Sequence, residues 1–314
     1  MSGNPAIDKL FEVEDLVPGA VHRPDRFVPL PGGKGIHVAQ VATALGAQAL
    51  ATGILGGHAG RWLAETLQAQ GVAGRFARAS GETRSCLTVA DRATGRLTEF
   101  YEDGIPARAQ DWNALTDIID DLLAQRPSWL AMAGSVPAAE DLPGYADFIA
   151  RARRAGVRSA IDSRGHDLAR ALHGAPDLVK INAFEAAELL DRPVSELPHA
   201  REAAHEVRRR AGGDGHAAVV TLGEQGMVLV EPAGAIWHGT VAVRGDYPVG
   251  SGDAFLAGLL TALTHTPGAA WHDAARLALG AAGANAEMPG AARLDPERAR
   301  ELAGTAQLSR LAAE

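Results

Sequence analysis

From about residue 107 onward, short apolar runs alternate with longer helix-compatible stretches, and this alternation constrains the fold more than any other feature of the chain. The runs lie at residues 129–133, 157–161, 178–181 and 217–221. Each ends in a turn or a polar residue: Gly134-Ser135-Val136-Pro137, Asp162, Asn182 and Leu222-Gly223 respectively. Between them, residues 110–125, 142–155, 183–190 and 200–211 have helical length and composition. A strand followed by a helix of that length returns to the sheet through a crossover, so the pattern predicts an α/β fold with a mostly parallel sheet flanked by helices. Ligands of such sheets sit beyond the carboxyl ends of the strands, where the polar residues of these runs fall.

The first hundred residues follow a different rule. Residues 85–91 and 96–101 predict a hairpin turning around Ala93-Thr94-Gly95, with weaker strands at 10–13 and 26–30. Together they form an expected small antiparallel sheet, set apart from the main core. Such a sheet exposes a face and its edges, which suits a lid or a contact with a second copy. The expected division is therefore a β lid from residues 1–30 and 80–106, and an α/β core from 31–79 and 107–314.

Composition narrows the function classes. A formal charge of −8 speaks against non-specific nucleic-acid binding. The most apolar stretch, 38–57, is interrupted by Gln40, Thr43, Gln48 and Thr52 and fails as a span of roughly 20 apolar residues. No basic flank precedes an apolar run at the N-terminus, so the expectation is a cytoplasmic protein without a membrane partner. Cys86 is the single cysteine, which excludes an intramolecular disulfide, and the 11 histidines show no zinc-ligand spacing.

Three segments carry chemistry. In Val249-Gly250-Ser251-Gly252-Asp253-Ala254-Phe255-Leu256-Ala257-Gly258, two glycines and a serine precede a small-residue helix running to about Leu263. The amides of a helix start bind anions. An aspartate there repels an anionic ligand unless the carboxylate takes a proton from an attacking hydroxyl while the amides stabilise a phosphoryl group in transfer. The second segment, Pro31-Gly32-Gly33-Lys34-Gly35-Ile36-His37-Val38-Ala39, lets the backbone approach a ligand closely and offers one cation, but it is not a Walker A loop. In the third, Lys180-Ile181-Asn182-Ala183-Phe184-Glu185, an amide and a carboxylate three residues apart could hold magnesium-bound water near phosphates. Each segment alone also has a purely structural reading: a glycine turn, a strand-to-helix connection, and an Asn N-cap with Glu at N3.

Taken jointly and in this order, the segments resemble the ribokinase-like sugar kinases, or PfkB family, over essentially the whole chain. Asn4-Pro5-Ala6-Ile7-Asp8, the GGKG loop, Thr83-Arg84, Gly134-Ser135-Val136-Pro137, the NxxE element and VGSGDAFLAG are similar to the branch containing 1-phosphofructokinases and tagatose-6-phosphate kinases. The resemblance implies a ribokinase-like fold with a small β lid that often mediates homodimers. It implies that Asp8, Gly32, Gly33 and Lys34 hold sugar hydroxyls, and that Arg84 and Ser135, with help from Lys34, contact a phosphate already on the acceptor. It further implies that Lys180, Asn182 and Glu185 organise ATP phosphates and Mg²⁺, with Glu185 acting through water. Thr221, Gly223 and Gly226 would line the nucleotide, with Asn285 near adenine. Gly250, Ser251 and Gly252 would form the anion hole, and Asp253 the base. A monovalent cation is a further cofactor to expect.

Three departures bear on the substrate. Only seven residues precede Asp8, so the first core strand usual in the family is expected to be absent or badly shortened. His37 stands where relatives usually carry Asn after GGKGI, and Cys86 stands where Asn is common two residues after the arginine. Both border the sugar pocket in the resemblance, and the loss of two amides points to altered hydroxyl recognition. The sequence thus implies ATP-dependent phosphoryl transfer to a ketohexose phosphate. An unphosphorylated ketose or other small sugar, a nucleoside, and a silent sugar-phosphate or nucleotide sensor are the alternatives.

Overall fold

The computed structural model describes residues 1–137 and 142–312. Its first part runs β1 (Ala6–Val13), β2 (Arg26–Gly32), α1 (Lys34–Ala44), β3 (Leu50–Gly56), α2 (Gly57–Ala69), β4 (Ala73–Ala79), β5 (Arg84–Asp91) and β6 (Arg96–Tyr101). Next come α3 (Ala109–Leu123), β7 (Trp129–Ala133), α4 (Tyr145–Arg154), β8 (Arg158–Asp162), α5 (Gly165–Leu172), β9 (Leu178–Asn182), α6 (Ala183–Leu190), α7 (Leu197–Arg210) and β10 (Ala217–Thr221). The chain continues through β11 (Met227–Val230), β12 (Ile236–Thr240), α8 (Ser251–His265), α9 (Trp271–Ala286), α10 (Pro296–Thr305) and β13 (Gln307–Leu311). Among the described residues no helix is long and apolar enough to cross a membrane.

Strands β7, β8, β9 and β10 pair in parallel, as the alternating pattern predicts, and β11, β12 and β13 extend that sheet antiparallel. On the other flank β3 and β4 form a parallel pair. Ser2 makes parallel bridges to both Gly53 and Ala133, so the chain's first residues stitch this pair to β7. Those residues therefore belong with the main sheet, not with the small one to which the sequence assigns them. The helix expected from residue 142 starts at Tyr145 instead, because Pro143 precedes a Gly144 whose φ of 70° is not helical.

Both faces of the main sheet are buried, and the two-residue period sorts side chains between them. Val179, Ile181, Ala218 and Val220 face the layer of α3, α4 and α7. Leu178, Ala217 and Val219 face the opposite layer, built from α1, α8, α9 and α10. By the same period Lys180 and Asn182 lie on the α8 side, which brings an otherwise costly buried lysine beneath a helix N-terminus. Small residues let α8 and α9 approach closely: a side chain at Gly258 would meet the backbone of Leu277 and Ala278.

The small sheet has the order β2-β1-β5-β6. The expected hairpin is present as β5–β6, with Asp91 accepting hydrogen bonds from the amides of Ala93 (3.0 Å) and Thr94 (3.2 Å) in its turn. The sheet is mixed, because β1 and β5 run parallel while the outer pairings are antiparallel. The whole α1-to-β4 segment separates β2 from β5, long enough for the crossover that a parallel pairing needs.

Candidate active site

One cavity of about 740 Å³ runs between the small sheet and the carboxyl ends of the parallel strands. Its size suits a small-molecule site. Asp8, Arg84, Cys86 and Ser135 line one part of it, and Thr221, Gly223 and Gly226 another, with Gly250, Ser251, Gly252 and Asp253 also in the wall. Residues more than two hundred positions apart thus line one cavity.

The glycine turn before α8 has the geometry its composition implies. Gly250 is the N-cap, with φ 84° in the left-handed region that glycine tolerates without strain. The first amides of α8 therefore open onto the cavity at the positive end of the helix. Asn285 braces this turn: its Nδ2 donates to the Val249 carbonyl at 2.9 Å and to Ser251 Oγ at 3.1 Å, and its Oδ1 accepts from the Arg293 amide at 3.2 Å. It is fully buried behind the cavity wall that its neighbours Ala282, Gly283 and Ala286 line. The wall near α9 is apolar and small, with Val241, Val243, Leu279, Ala282, Gly283 and Ala286.

Beneath α8 lies a charged cluster centred on Asp162, which is wholly buried at the end of β8. Lys180 Nζ reaches its Oδ2 at 2.7 Å, and Lys34 Nζ its Oδ1 at 2.7 Å. Lys34 also lies 2.6 Å from Glu185 Oε1. Lys34 is expected from the sequence to help with the acceptor's hydroxyls and phosphate, but its ammonium is directed to these carboxylates. Burial opposes the charge on Lys34, yet Asp162, Glu185 and Asp253 outweigh it and push the group well above the usual amine range. Burial likewise opposes ionised Asp162, but Lys180 and Lys34 hold it below the usual carboxylate range. Gly252 gives Lys180 its room, since a Cβ there would lie 2.6 Å from Nζ.

Asn182 and Glu185 form the capping box that is their structural reading: Asn182 Oδ1 accepts from the Glu185 amide at 2.8 Å, and Glu185 Oε2 from the Asn182 amide at 2.9 Å. Both still face the cavity, so cap and site role coexist. Glu185 has both oxygens engaged, and among the described residues no three His, Cys, Asp or Glu side chains gather to hold a metal. This donor set fits a Mg²⁺ that would be held mainly by phosphates and water.

At the other part of the cavity, Asp8 packs over Gly32, where a Cβ would collide with its carboxylate. Gly33, with φ 99°, is the N-cap of α1. Arg84 donates from Nη1 to the Glu102 carbonyl and from Nη2 to the Asn4 carbonyl, both at 3.1 Å, and its buried Nε has no partner among the described residues. Burial pushes the Cys86 thiol up to about 11, which suits a packing residue and not a nucleophile. Buried His37 lies between Asp8 and Asp253 and touches both.

Asp162 is the main residue that site-level sequence reasoning missed. Its signal was a lone carboxylate closing a buried strand in register with Lys180. Ser163, Arg164 and Tyr101 also line the cavity without a motif to mark them.

A parallel sheet whose strand ends meet a glycine-capped helix and a carboxylate across one such cavity has the architecture of a small-molecule enzyme site. The chain belongs to the pfkB family of carbohydrate kinases, whose family profile matches residues 1–298. It is 35% identical to a 1-phosphofructokinase of Rhodobacter capsulatus over 264 residues, covering 84% of this chain and 83% of the relative. It is 26% identical to a tagatose-6-phosphate kinase of Staphylococcus epidermidis over 264 residues, 83% of this chain and 84% of that one. Among solved structures, phosphofructokinase-2 from Escherichia coli in complex with potassium superposes with a TM-score of 0.86 at 25% identity, over 96% of both chains.

Proposed function

We propose that this kinase transfers the γ-phosphoryl group of MgATP to a hydroxyl of a ketohexose phosphate such as fructose 1-phosphate, fructose 6-phosphate or tagatose 6-phosphate. The observation that carries the reading is the position of Asp253. It sits at the amide-rich start of α8, in a cavity with Arg84 and Asp8 on one side and Lys180, Asn182 and Thr221 on another. In this reading Asp253 accepts the proton of the attacking hydroxyl while the Gly250–Gly252 amides and Lys180 stabilise charge on the phosphoryl group. Mg²⁺, when bound, neutralises the ATP phosphates, and Glu185 positions it through water. Thr221, Gly223 and Gly226 line the nucleotide, with the apolar α9 wall toward the base. Arg84 and Ser135 meet the acceptor's existing phosphate, while Asp8, Gly32 and Gly33 hold its hydroxyls. The donor side thereby gains Lys34, which the acceptor side loses.

The small sheet, residues 1–30 and 80–106 less the first residues that join the core, would act as a lid excluding water. Its outer face carries Phe27 at 53% and Phe100 at 59% exposure, an apolar surface suited to a second copy of the chain. Phosphofructokinase-2 has also been solved as a tetrameric inhibited form. The potassium complex of that neighbour motivates a test for a monovalent cation. A reaction consuming ATP and a sugar phosphate is expected in the cytoplasm.

The deciding experiment is ADP release with MgATP across fructose 1-phosphate, fructose 6-phosphate, tagatose 6-phosphate, free fructose and free tagatose, with and without KCl. Turnover confined to phosphorylated ketoses supports the proposal. Turnover only on a free sugar keeps the kinase but overturns the acceptor assignment, and the pocket residues His37 and Cys86 are where that difference would be sought.

A further inference from the structure

His37 is a buried ionisable side chain in the cavity wall to which neither the glycine loop nor the anion hole gives a task. Its ring, with 7% of the side chain exposed, spans two carboxylates from separate elements. Nδ1 donates to Asp253 Oδ2 at 2.8 Å. Nε2 lies 2.9 Å from Asp8 Oδ2, within ion-pair range but off the N–H direction, so that contact is charge attraction more than a linear hydrogen bond.

A neutral imidazole has one N–H and one lone pair. With a carboxylate oxygen at each nitrogen, the neutral ring would aim its lone pair at an anion, whereas the doubly protonated ring satisfies both. The surroundings hold no competing cation at the ring. Lys34, on the same helix, is committed to Asp162 and Glu185, and Lys180 to Asp162. Strands β3 and β7, which pack on α1, contain no ionisable side chain, and Arg26 of β2 is paired with Glu12 at 3.6 Å. On β5, Cys86 is paired in register with Asp8, and neighbouring Arg84 is held by backbone carbonyls. His265 lies at the far end of α8 from Asp253.

We infer that His37 is a positioning residue, a protonated clamp that holds one oxygen of Asp253 and so turns the other toward the acceptor hydroxyl, while tying the base to Asp8. The inference rests on the reading of Asp253 as the base. Without a cation between them, two carboxylates sharing a site repel, and one tends to take up a proton. A proton on Asp253 would disable it as a base. His37 keeps its own protons through the reaction and receives none from the acceptor. The base is thereby oriented by a third group, the logic common to activated catalytic pairs.

Two measurements test the clamp. The first is ¹⁵N NMR of histidine-labelled protein without ligands, the His37 signal being identified by its loss in His37→Gln. The expected spectrum shows both ring nitrogens protonated at pH 7.5, and Asp8→Asn lowers the titration midpoint by about one unit or more. A ring that titrates near the ordinary value of about 6.5, or ignores Asp8→Asn, overturns the clamp whether or not the protein proves to be a ketohexose-phosphate kinase. The second is the pH profile of kcat for His37→Gln and His37→Asn, with folding verified by circular dichroism. Turnover should fall about 10- to 100-fold with the KM for MgATP unchanged, and the acid limb should move up by about one unit. A lower kcat with an unshifted profile would mark His37 as a packing residue and overturn the inference. Absence of turnover in the wild type would instead sink the functional reading and leave the NMR result to judge the clamp.

Discussion

Asp8 and Asp162 both present a carboxylate near the same cavity, but under opposite physical conditions. Asp8 sits on the small sheet, whose edge strand β6 is mostly exposed, and 26% of its own side chain is exposed. Asp162 has no exposure, closes a core strand, and is bracketed by two lysines at 2.7 Å each. Charges in a low-dielectric interior interact strongly and are costly to leave unpaired, so the corner under α8 is held in one arrangement. The small sheet is less buried, with β6 almost wholly exposed. In the proposed reading, the residues for phosphoryl transfer thus sit on core strands and a helix terminus, while Asp8 and Arg84, assigned to the acceptor, sit on the small sheet. His37 links the two regions.

The largest effect expected from breaking that contrast is at Asp253. Asp253→Asn should lower kcat by about 10²–10⁴-fold with little change in either KM, measured by ADP release. Near wild-type turnover would remove Asp253 from the mechanism and reduce the α8 corner to scaffolding. Next comes Asp162→Ala, which leaves Lys34 and Lys180 without their shared partner. A loss of about 3–5 kcal/mol is expected in urea unfolding, and a loss under about 1 kcal/mol would show that the corner is not the rigid region described here.

On the acceptor side the effect should be smaller and substrate-selective. Arg84→Ala should raise the KM for the phosphorylated ketose by about 10- to 100-fold, the equivalent of about 1.5–3 kcal/mol for a hydrogen bond to a charged group, with stability nearly unchanged. An unaltered KM would mean that Arg84 only ties β5 to its neighbouring backbone. Asn285→Ala loosens the Gly250 turn from behind and should cost about 1–3 kcal/mol of stability, together with a fall in kcat; a change in the KM for ATP alone would return it to the nucleotide side.

The smallest signal is the pH dependence carried by the link itself. Burial disfavours charged His37, but hydrogen bonding and attraction from Asp253 and Asp8 push it up to about 10 from 6.5. A group raised on folding stabilises fully below its unfolded value, and that contribution is lost as pH climbs through the folded one. The stability advantage of wild type over His37→Gln should therefore be whole below about pH 6.5 and shrink progressively toward pH 10. A difference constant across that window would deny the ring its charge.

How much of this was legible in the chain depends on the range of the interaction. The four parallel strands, helices α3, α4, α6 and α7 and the cap at Asn182 follow from local periodicity and turn chemistry, and they emerged within a few residues of their expected bounds, whereas α5 (Gly165–Leu172) lies where no helix was expected. Asp253 at a glycine-capped helix start was equally readable, because Gly250, Ser251 and Gly252 stand beside it in the sequence. The parallel pairing of β1 with β5 was not, since hairpin and strand signals specify no partner across an intervening segment. Lys34 was placed toward the acceptor by the family resemblance, but its ammonium pairs with Asp162 and Glu185, 128 and 151 positions away.

Periodicity, turn residues and helix caps are short-range, so the sequence by itself determined the layered α/β architecture, the strand ends that face the site and the residues at the glycine-capped start of α8. Charge pairing in the interior has no such local signature. Asn285 as a brace, Asp162 as a hub and His37 between Asp8 and Asp253, the latter 216 positions away, were decided only when the packed sheet and helices excluded water and left each buried charge a single set of partners.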